Sequence, residues 1–236
     1  DAQKSVVLFT VHHIIADGWS LEIINSELVK LYELTSKNLE NSLPPLEIQY
    51  KNYTTWSNKL LSPERLKKHQ AYWTEHLEGT LPESEFPLDY KRPAQKTWRG
   101  INRTEWLSVE LSEQISTLGV ENKASFFMVI MAAVKALYYR YTMESDVVFG
   151  TTITARNHYN LENQIGFYTS TLPIRTVFDP NSTFLDLLDL VQQNMLGDVD
   201  HQCYQFEQFV NDLNIKRPKN KYPVFNTLVA LRNTDD

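Results

Sequence analysis

The stretch FTVHHIIADGWS, residues 9–20, decides how the rest of the chain is interpreted. It continues an apolar run, KSVVLFTV (residues 4–11), whose alternation predicts a half-buried strand. Successive side chains of a strand point to opposite faces. If the strand continues into the adjacent pair His12 and His13, only one of these histidines faces a given cavity.

A helix is predicted directly after this pair. Asp17 and Gly18 are typical of a turn, and the apolar residues that follow recur at helical spacing until about Ser36. The sequence therefore places a histidine between a strand and a helix start, with a carboxylate close behind it. This arrangement is a candidate acid–base site.

Composition narrows the class of protein. The chain has 236 residues, 42% hydrophobic and 22% charged, as is usual for globular domains. Its net charge of −6 gives no indication of a nucleic-acid partner. The single cysteine, Cys203, excludes an intrachain disulfide framework and fits a reducing, cytoplasmic compartment. No signal or transit segment precedes the first predicted strand, so we expect an excerpt of a longer polypeptide.

No segment is predicted to cross a membrane. The longest apolar run, residues 126–139, contains Lys135, and a spanning helix needs about 20 apolar residues. We therefore interpret this run as part of a buried helix over residues 125–141.

Helices and strands alternate in the rest of the chain, which predicts an α/β or α+β class. Further helices are expected over residues 49–61, from the N-cap Ser62 to Gly79, and from Ser112 onwards. A last helix is expected after a cap at Ser182 or Thr183, and the residues expected to point inward from it are Phe184, Leu187, Leu188, Val191 and Met195. Strands are expected over residues 101–111, 146–154, 171–178 and 223–231, and an extended segment over 81–100.

The stretch around the two histidines resembles the HHxxxDG active-site motif of condensation domains from nonribosomal peptide synthetases. A shorter HxxxD form is shared with coenzyme A-dependent acyltransferases. Further segments are similar to that family in the same order, namely YKNYTTW (50–56), YWTEHLEG (72–79), PLDYKRPAQKTWRG (87–100), FGTTITARN (149–157), IGFYTSTLPIR (165–175), HQCYQFE (201–207) and RPKNKYPVFN (217–226). Departures occur where Asn52, Ala155, Ser170, Cys203 and Gln205 replace the usual residues.

The resemblance implies an α/β (α+β sandwich) fold with two lobes like chloramphenicol acetyltransferase. It implies that residues 1–61 are the later part of the N-terminal lobe and that residues 62–236 are the C-terminal lobe, incomplete at its end. We expect such a segment to expose apolar patches and to be inactive when isolated.

The resemblance implies a role in the biosynthesis of peptide antibiotics, and the implied reaction is amide formation. The amine of an acceptor aminoacyl thioester attacks a donor acyl or peptidyl thioester, and both are carried on phosphopantetheine arms of carrier domains. The resemblance implies carrier domains and a neighbouring adenylation domain as partners, no directly bound cofactor, and neither nucleic acid nor membrane. We expect no metal, because strand alternation denies His12, His13 and Asp17 a common direction.

The resemblance also implies roles for the motif. His13 is the expected proton acceptor. His12 is part of the same catalytic motif, but its expected role is structural. Asp17 is expected to be a positioning carboxylate that needs a cationic partner. Arg156 is our candidate for that partner, with an upstream arginine as the alternative.

Gly18 is expected to let the backbone approach the substrate, and its N–H to face the developing oxyanion. Five residues are expected to be structural or to line the channel, namely Arg156, Trp19, Ser170, His201 and Gln202.

Three other functions stay open at this point. A free-standing coenzyme A-dependent acyltransferase and an epimerisation domain share the histidine chemistry. A non-catalytic recruitment module is a different class of protein, although the intact histidine motif disfavours it.

Overall fold

The computed structural model describes residues 5–40, 43–97 and 99–232. The elements along these residues are α1 (Gly18–Ser36), α2 (Tyr50–Leu60), α3 (Pro63–His76), α4 (Val109–Glu121), α5 (Phe126–Thr142), β1 (Asp146–Thr154), α6 (Tyr159–Glu162), β2 (Thr169–Val177), α7 (Phe184–Asp200) and α8 (Phe206–Asp212). The predicted mixed α and β class is confirmed.

Helix starts follow local capping chemistry. The N-caps Ser108, Ser125 and Thr183 each accept a hydrogen bond from the backbone N–H three residues further on. The buried helix expected over residues 125–141 is confirmed as α5, and Thr183 rather than Ser182 caps α7. Phe184, expected to point inward from α7, lies at the surface.

Two strand predictions near the ends of the chain are wrong. Residues 5–11 form no strand and are exposed except for the half-buried Val11, because their backbone pairs with no other described segment. Lys4 lies outside the described residues. The strand expected over 223–231 is reduced to one parallel bridge between Leu228 and Gly150.

The strand prediction for residues 101–111 is also wrong. This segment is exposed, and Trp106 has 87% of its surface accessible. Helix α4 begins within it at Val109, with Ser108 as N-cap, so the expected cap at Ser112 lies inside the helix.

The strands β1 and β2 form a two-stranded sheet. Phe178 N–H donates to Ser145 O at one end of the pair, and Ala155 N–H donates to Tyr168 O at the other. The pairing is therefore antiparallel. The strand expected over 146–154 is confirmed, and the second strand begins two residues earlier than expected.

The chain divides into two compact units. The first comprises residues 1–65 and 154–169, and the second comprises residues 66–153 and 170–236. The assignment of residues 1–61 and 62–236 to two lobes of the family stays a prediction.

The second unit contains a large apolar core. Helix α5 packs against α4 and α7. The core includes Trp73, Met131, Tyr138, Val147, Phe149, Leu172, Ile174, Leu188 and Val191. No single helix in the described part of the chain is long and apolar enough to cross a membrane, and α4 with α5 reaches that length only as a pair bent by 101°.

Candidate active site

The two histidines lie in a turn of the first unit. Ile15 N–H donates to His12 O at 3.1 Å, and Ile14 N–H donates to His12 Nδ1 at 3.2 Å. Both histidine side chains are exposed. Strand alternation therefore does not determine which way the two histidines face, because residues 5–11 form no strand.

His13 is oriented by one backbone carbonyl. Its Nδ1 lies 2.9 Å from Ala16 O, and its ring meets the edge of Phe167 at a centroid distance of 5.3 Å. A carbonyl oxygen only accepts hydrogen bonds, so Nδ1 carries the proton and Nε2 keeps its lone pair. Nε2 has no hydrogen-bond partner among the described residues. In this tautomer His13 accepts a proton at Nε2.

The Asp17 carboxylate is buried at the start of α1, with 2% of its residue surface accessible. It receives four hydrogen bonds, from Ser20 N–H (2.9 Å), Ser20 Oγ (2.7 Å), Arg156 Nη2 (3.1 Å) and Tyr168 N–H (3.0 Å). Asp17 is therefore the N-cap of α1 and the centre of a polar network.

Arg156 supplies the cation of this network, so the predicted ion pair is present. Its Nη2 also donates to Ser20 Oγ at 2.9 Å, and its Nη1 donates to Gln164 O at 2.7 Å. The guanidinium carbon lies 4.0 Å from the centre of the Tyr168 ring. The arginine is buried and holds α1 against the segment that follows β1.

The network keeps Asp17 ionised. Burial on its own raises the pKa of the Asp17 carboxyl, but the hydrogen bonds from Ser20 and Tyr168 and the charge of Arg156 outweigh burial. The pKa of Asp17 therefore lies below its ordinary value. With its oxygens fully occupied, this carboxylate positions other groups and does not exchange protons near neutral pH.

Gly166 permits a close approach of backbone to this network. Its O accepts from Asp17 N–H at 3.2 Å, and its N–H donates to Ser20 Oγ at 3.0 Å. A Cβ built on Gly166 would lie 2.3 Å from Cδ2 of Tyr50. Tyr50 in turn donates to Phe167 O at 2.9 Å, so α2 fixes the same loop.

Gly18 and Trp19 are the first two residues of α1, and both are exposed. A Cβ on Gly18 would meet nothing within 4 Å, so the space beside it is free of described atoms. Trp19 Nε1 donates to Glu162 O at 2.8 Å. The expected roles of Gly18 towards a substrate stay predictions.

Three members of the network, Ser20, Gln164 and Tyr168, were not predicted from the sequence. Ser20 could have been found, because it follows the N-cap Asp17 by three residues, which is the capping spacing. Gln164 and Tyr168 carry no such signal. Gln164 is buried and donates to Ile48 O at 2.9 Å, and burial raises the pKa of Tyr168 to about 12.

Comparison with known proteins decides the family. All of residues 1–236 match the family described as Condensation domain. This chain belongs to the condensation-domain family. It is 35% identical over 233 residues to bacitracin synthase 1 of Bacillus licheniformis and 34% identical over 236 residues to surfactin synthase subunit 1 of Bacillus subtilis (strain 168). These alignments cover 99% and 100% of this chain but only 4% and 6% of the two relatives.

Solved structures of the family have the same fold. The X-domain from teicoplanin biosynthesis has a TM-score of 0.81 at 26% identity, over 92% of this chain and 50% of that chain. The first condensation domain of the CDA synthetase has a TM-score of 0.74 at 19% identity, over 95% of this chain and 48% of that chain. The second likeness concerns the fold alone.

Three of the condensation domain's expected site residues lie in the second unit. Ser170 Oγ donates to Gln202 O at 3.3 Å, so these two residues are brought together. His201 is the C-cap of α7, and its ring stacks on Tyr72 at a centroid distance of 3.9 Å. The structure thus groups His13, Asp17, Trp19 and Arg156 in one unit and Ser170, His201 and Gln202 in the other.

Proposed function

We propose that this condensation domain forms an amide bond between a donor acyl or peptidyl thioester and an acceptor aminoacyl thioester. The observation that carries the proposal is the Nε2 of the exposed His13, which has no partner among the described residues while Nδ1 is bound to Ala16 O. Membership of the family and the names of the relatives, which are synthases of bacitracin and surfactin, support the reaction class.

In the proposed reaction the acceptor amine attacks the thioester carbonyl carbon of the donor. A C–N bond forms, the C–S bond breaks, and the thiolate of the donor arm leaves. The nitrogen must lose a proton on the way, and His13 Nε2 accepts it. Positioning of the two thioesters supplies the rest of the acceleration, because the attack then becomes effectively unimolecular.

Asp17 and Arg156 are positioning residues in this proposal. Ala16 O, the acceptor for His13 Nδ1, belongs to the peptide bond that leads into Asp17, and the buried ion pair fixes that peptide. The network therefore sets the tautomer and direction of the His13 imidazole through the Ala16 carbonyl. Ser20 and Gly166 complete the support.

The proposed partners are carrier domains whose phosphopantetheine arms bring both substrates, together with a neighbouring adenylation domain. One solved structure with this fold is holo-AB3403, a four-domain nonribosomal peptide synthetase bound to AMP and glycine, with a TM-score of 0.81 at 19% identity. In this proposal the condensation domain itself binds no cofactor.

The direct test is amide formation by the polypeptide that carries this chain, with both carriers loaded. We expect His13→Ala to lower the rate by about 10²–10⁴-fold, the usual contribution of a general base. His158→Ala is the matched control and should keep the rate, because His158 is an exposed histidine of the same unit whose contacts are the cap of α6 and the ring of Tyr159. Equal rates for wild type and His13→Ala would contradict the proposal, and no amide product from the wild type would favour a recruitment module.

A further inference from the structure

Two segments of the second unit concentrate positive charge on a chain that is acidic in total. Residues 91–99 contain four Lys and Arg, residues 216–226 contain another four, and neither segment contains Asp or Glu. The net charge of the chain is −6. These eight cations therefore stand out against the surrounding charge, which favours binding of an anion.

The fold brings the two segments together. Lys96 N–H donates to Lys219 O at 3.2 Å, and the Lys96 ammonium lies 3.4 Å from the centre of the Tyr222 ring. Between the segments is a cleft of about 200 Å³. Its polar lining consists of Arg92, Lys96, Arg99 and Lys221 with Thr97, Asn220, Tyr222 and Asn226.

Two carboxylates offset part of this charge. Lys221 Nζ lies 2.6 Å from Glu83 and 3.0 Å from Glu85, and Arg92 Nε also donates to Glu85. Burial raises the pKa of Glu85, but its bonds to Lys221 and Arg92 outweigh burial and lower it, so the carboxylate stays ionised.

Four cations line the cleft, and two of them, Arg92 and Lys221, are paired with the carboxylates Glu83 and Glu85. The Nη atoms of Arg92 and the whole guanidinium of Arg99 have no hydrogen-bond partner in the part of the chain that the structure describes. A phosphate monoester carries a charge of about −1.5 to −2 at neutral pH and accepts hydrogen bonds at three oxygens. Guanidinium groups match those oxygens in geometry as well as charge.

The geometry points to a binding site for a phosphate monoester in the cleft between residues 91–99 and 216–226. Arg92 and Arg99 supply guanidinium donors, Lys96 supplies an ammonium, and Lys221 is held in place by Glu83 and Glu85. The site goes beyond the proposed amide-forming reaction, since it uses none of the residues around His13.

The test is calorimetric titration of the 236-residue chain with inorganic phosphate and with O-phosphoserine, each at constant ionic strength. We expect saturable binding of both. Loss of two charge-assisted contacts in the double variant Arg99→Gln/Lys96→Gln should weaken binding by about tenfold or more. Arg140→Gln, which removes an exposed arginine at the end of α5, is the matched control and should bind like the wild type.

Three results would overturn the site. The first is that the heats of titration with phosphate and with O-phosphoserine fail to saturate. The second is that the double variant and Arg140→Gln bind phosphate equally well. The third is that chloride, at the same ionic strength, competes for the site as well as phosphate does. Circular dichroism of the double variant shows whether it is folded, and folding is expected because both side chains lie at the surface. If it is unfolded, the single variant Arg99→Gln decides by the same criteria.

Discussion

The Asp17 carboxylate has no oxygen left for a substrate, since four donors already occupy it. We predict that Asp17→Asn destabilises the chain by roughly 3–5 kcal/mol, because it leaves the buried Arg156 without its anion and turns an amide N–H towards existing donors. Urea unfolding measures the change. Asp89→Asn, at an exposed position, should change the unfolding free energy by less than about 0.5 kcal/mol.

The same substitution should alter the acid dependence of stability. The pKa of Asp17 is lower in the fold than its ordinary value of 3.8, so its contribution is present above pH 3.8 and is lost as the pH falls through the folded value. The difference in unfolding free energy between wild type and Asp17→Asn should therefore shrink below that pH. A difference that stays constant down to strongly acid pH would contradict the ionised carboxylate.

Two glycines of the first unit should respond oppositely to the same change. Gly166→Ala places a Cβ 2.3 Å from the Tyr50 ring and should cost roughly 1–3 kcal/mol through overpacking. Gly18→Ala meets no atom within 4 Å and should leave the unfolding midpoint unchanged or raise it slightly. Equal midpoints for the two variants would show that Tyr50 does not approach Gly166 as described.

At the scale of elements, Lys135 links α5 to both strands from inside the core. Its Nζ donates to Ile174 O and Thr176 Oγ1 of β2, both at 2.7 Å, and to Val147 O of β1 at 3.5 Å, and the side chain is fully buried. Burial lowers the pKa of Lys135 to about 7, although the negative charges of Asp198 and Asp146 act to raise it. Burial also raises the pKa of Asp198 on α7 to about 7, with Tyr72 and Lys135 opposing the shift.

This lysine makes the stability of the second unit depend on pH. A pKa that is lower in the fold than in the unfolded chain stabilises the fold as the pH rises from about 7 towards 10.5. We predict that the wild type gains unfolding free energy relative to Lys135→Met across this range, as measured by urea midpoints at several pH values. Parallel pH curves for the two proteins would contradict a lysine that is neutral in the folded core.

The elements also show what a single sequence can predict. Helices α2, α5 and α7 were predictable, because caps and apolar spacing are local signals. The strands over 4–11 and 101–111 were not, because alternation shows which residues suit a strand but not whether a partner lies beside them. The ion pair of Asp17 and Arg156 was predictable only through the family motifs, and Gln164 and Tyr168 join it through tertiary contacts that leave no local pattern.

At the scale of the whole molecule, apolar side chains remain exposed on the first unit. Val6 and Leu8 have 95% and 88% of their surface accessible, and Phe9, Ile14 and Tyr32 are also exposed. Apolar patches of this kind favour association. We predict concentration-dependent self-association of the 236-residue chain in sedimentation velocity, which Val6→Lys/Leu8→Lys reduces and Lys59→Gln does not. Wild-type chain that stays monomeric at all concentrations would contradict this prediction.

The most direct test of the account is the protonation of the His13 ring nitrogens. The central claim is that the fold holds His13 as the Nδ1–H tautomer and presents a bare Nε2 to the substrate. Nitrogen-15 NMR of the labelled chain, with His13 assigned by comparison with His13→Ala, reads this directly at a pH where the ring is neutral. We predict a protonated Nδ1 and an unprotonated Nε2, and the reverse pattern would contradict the claim.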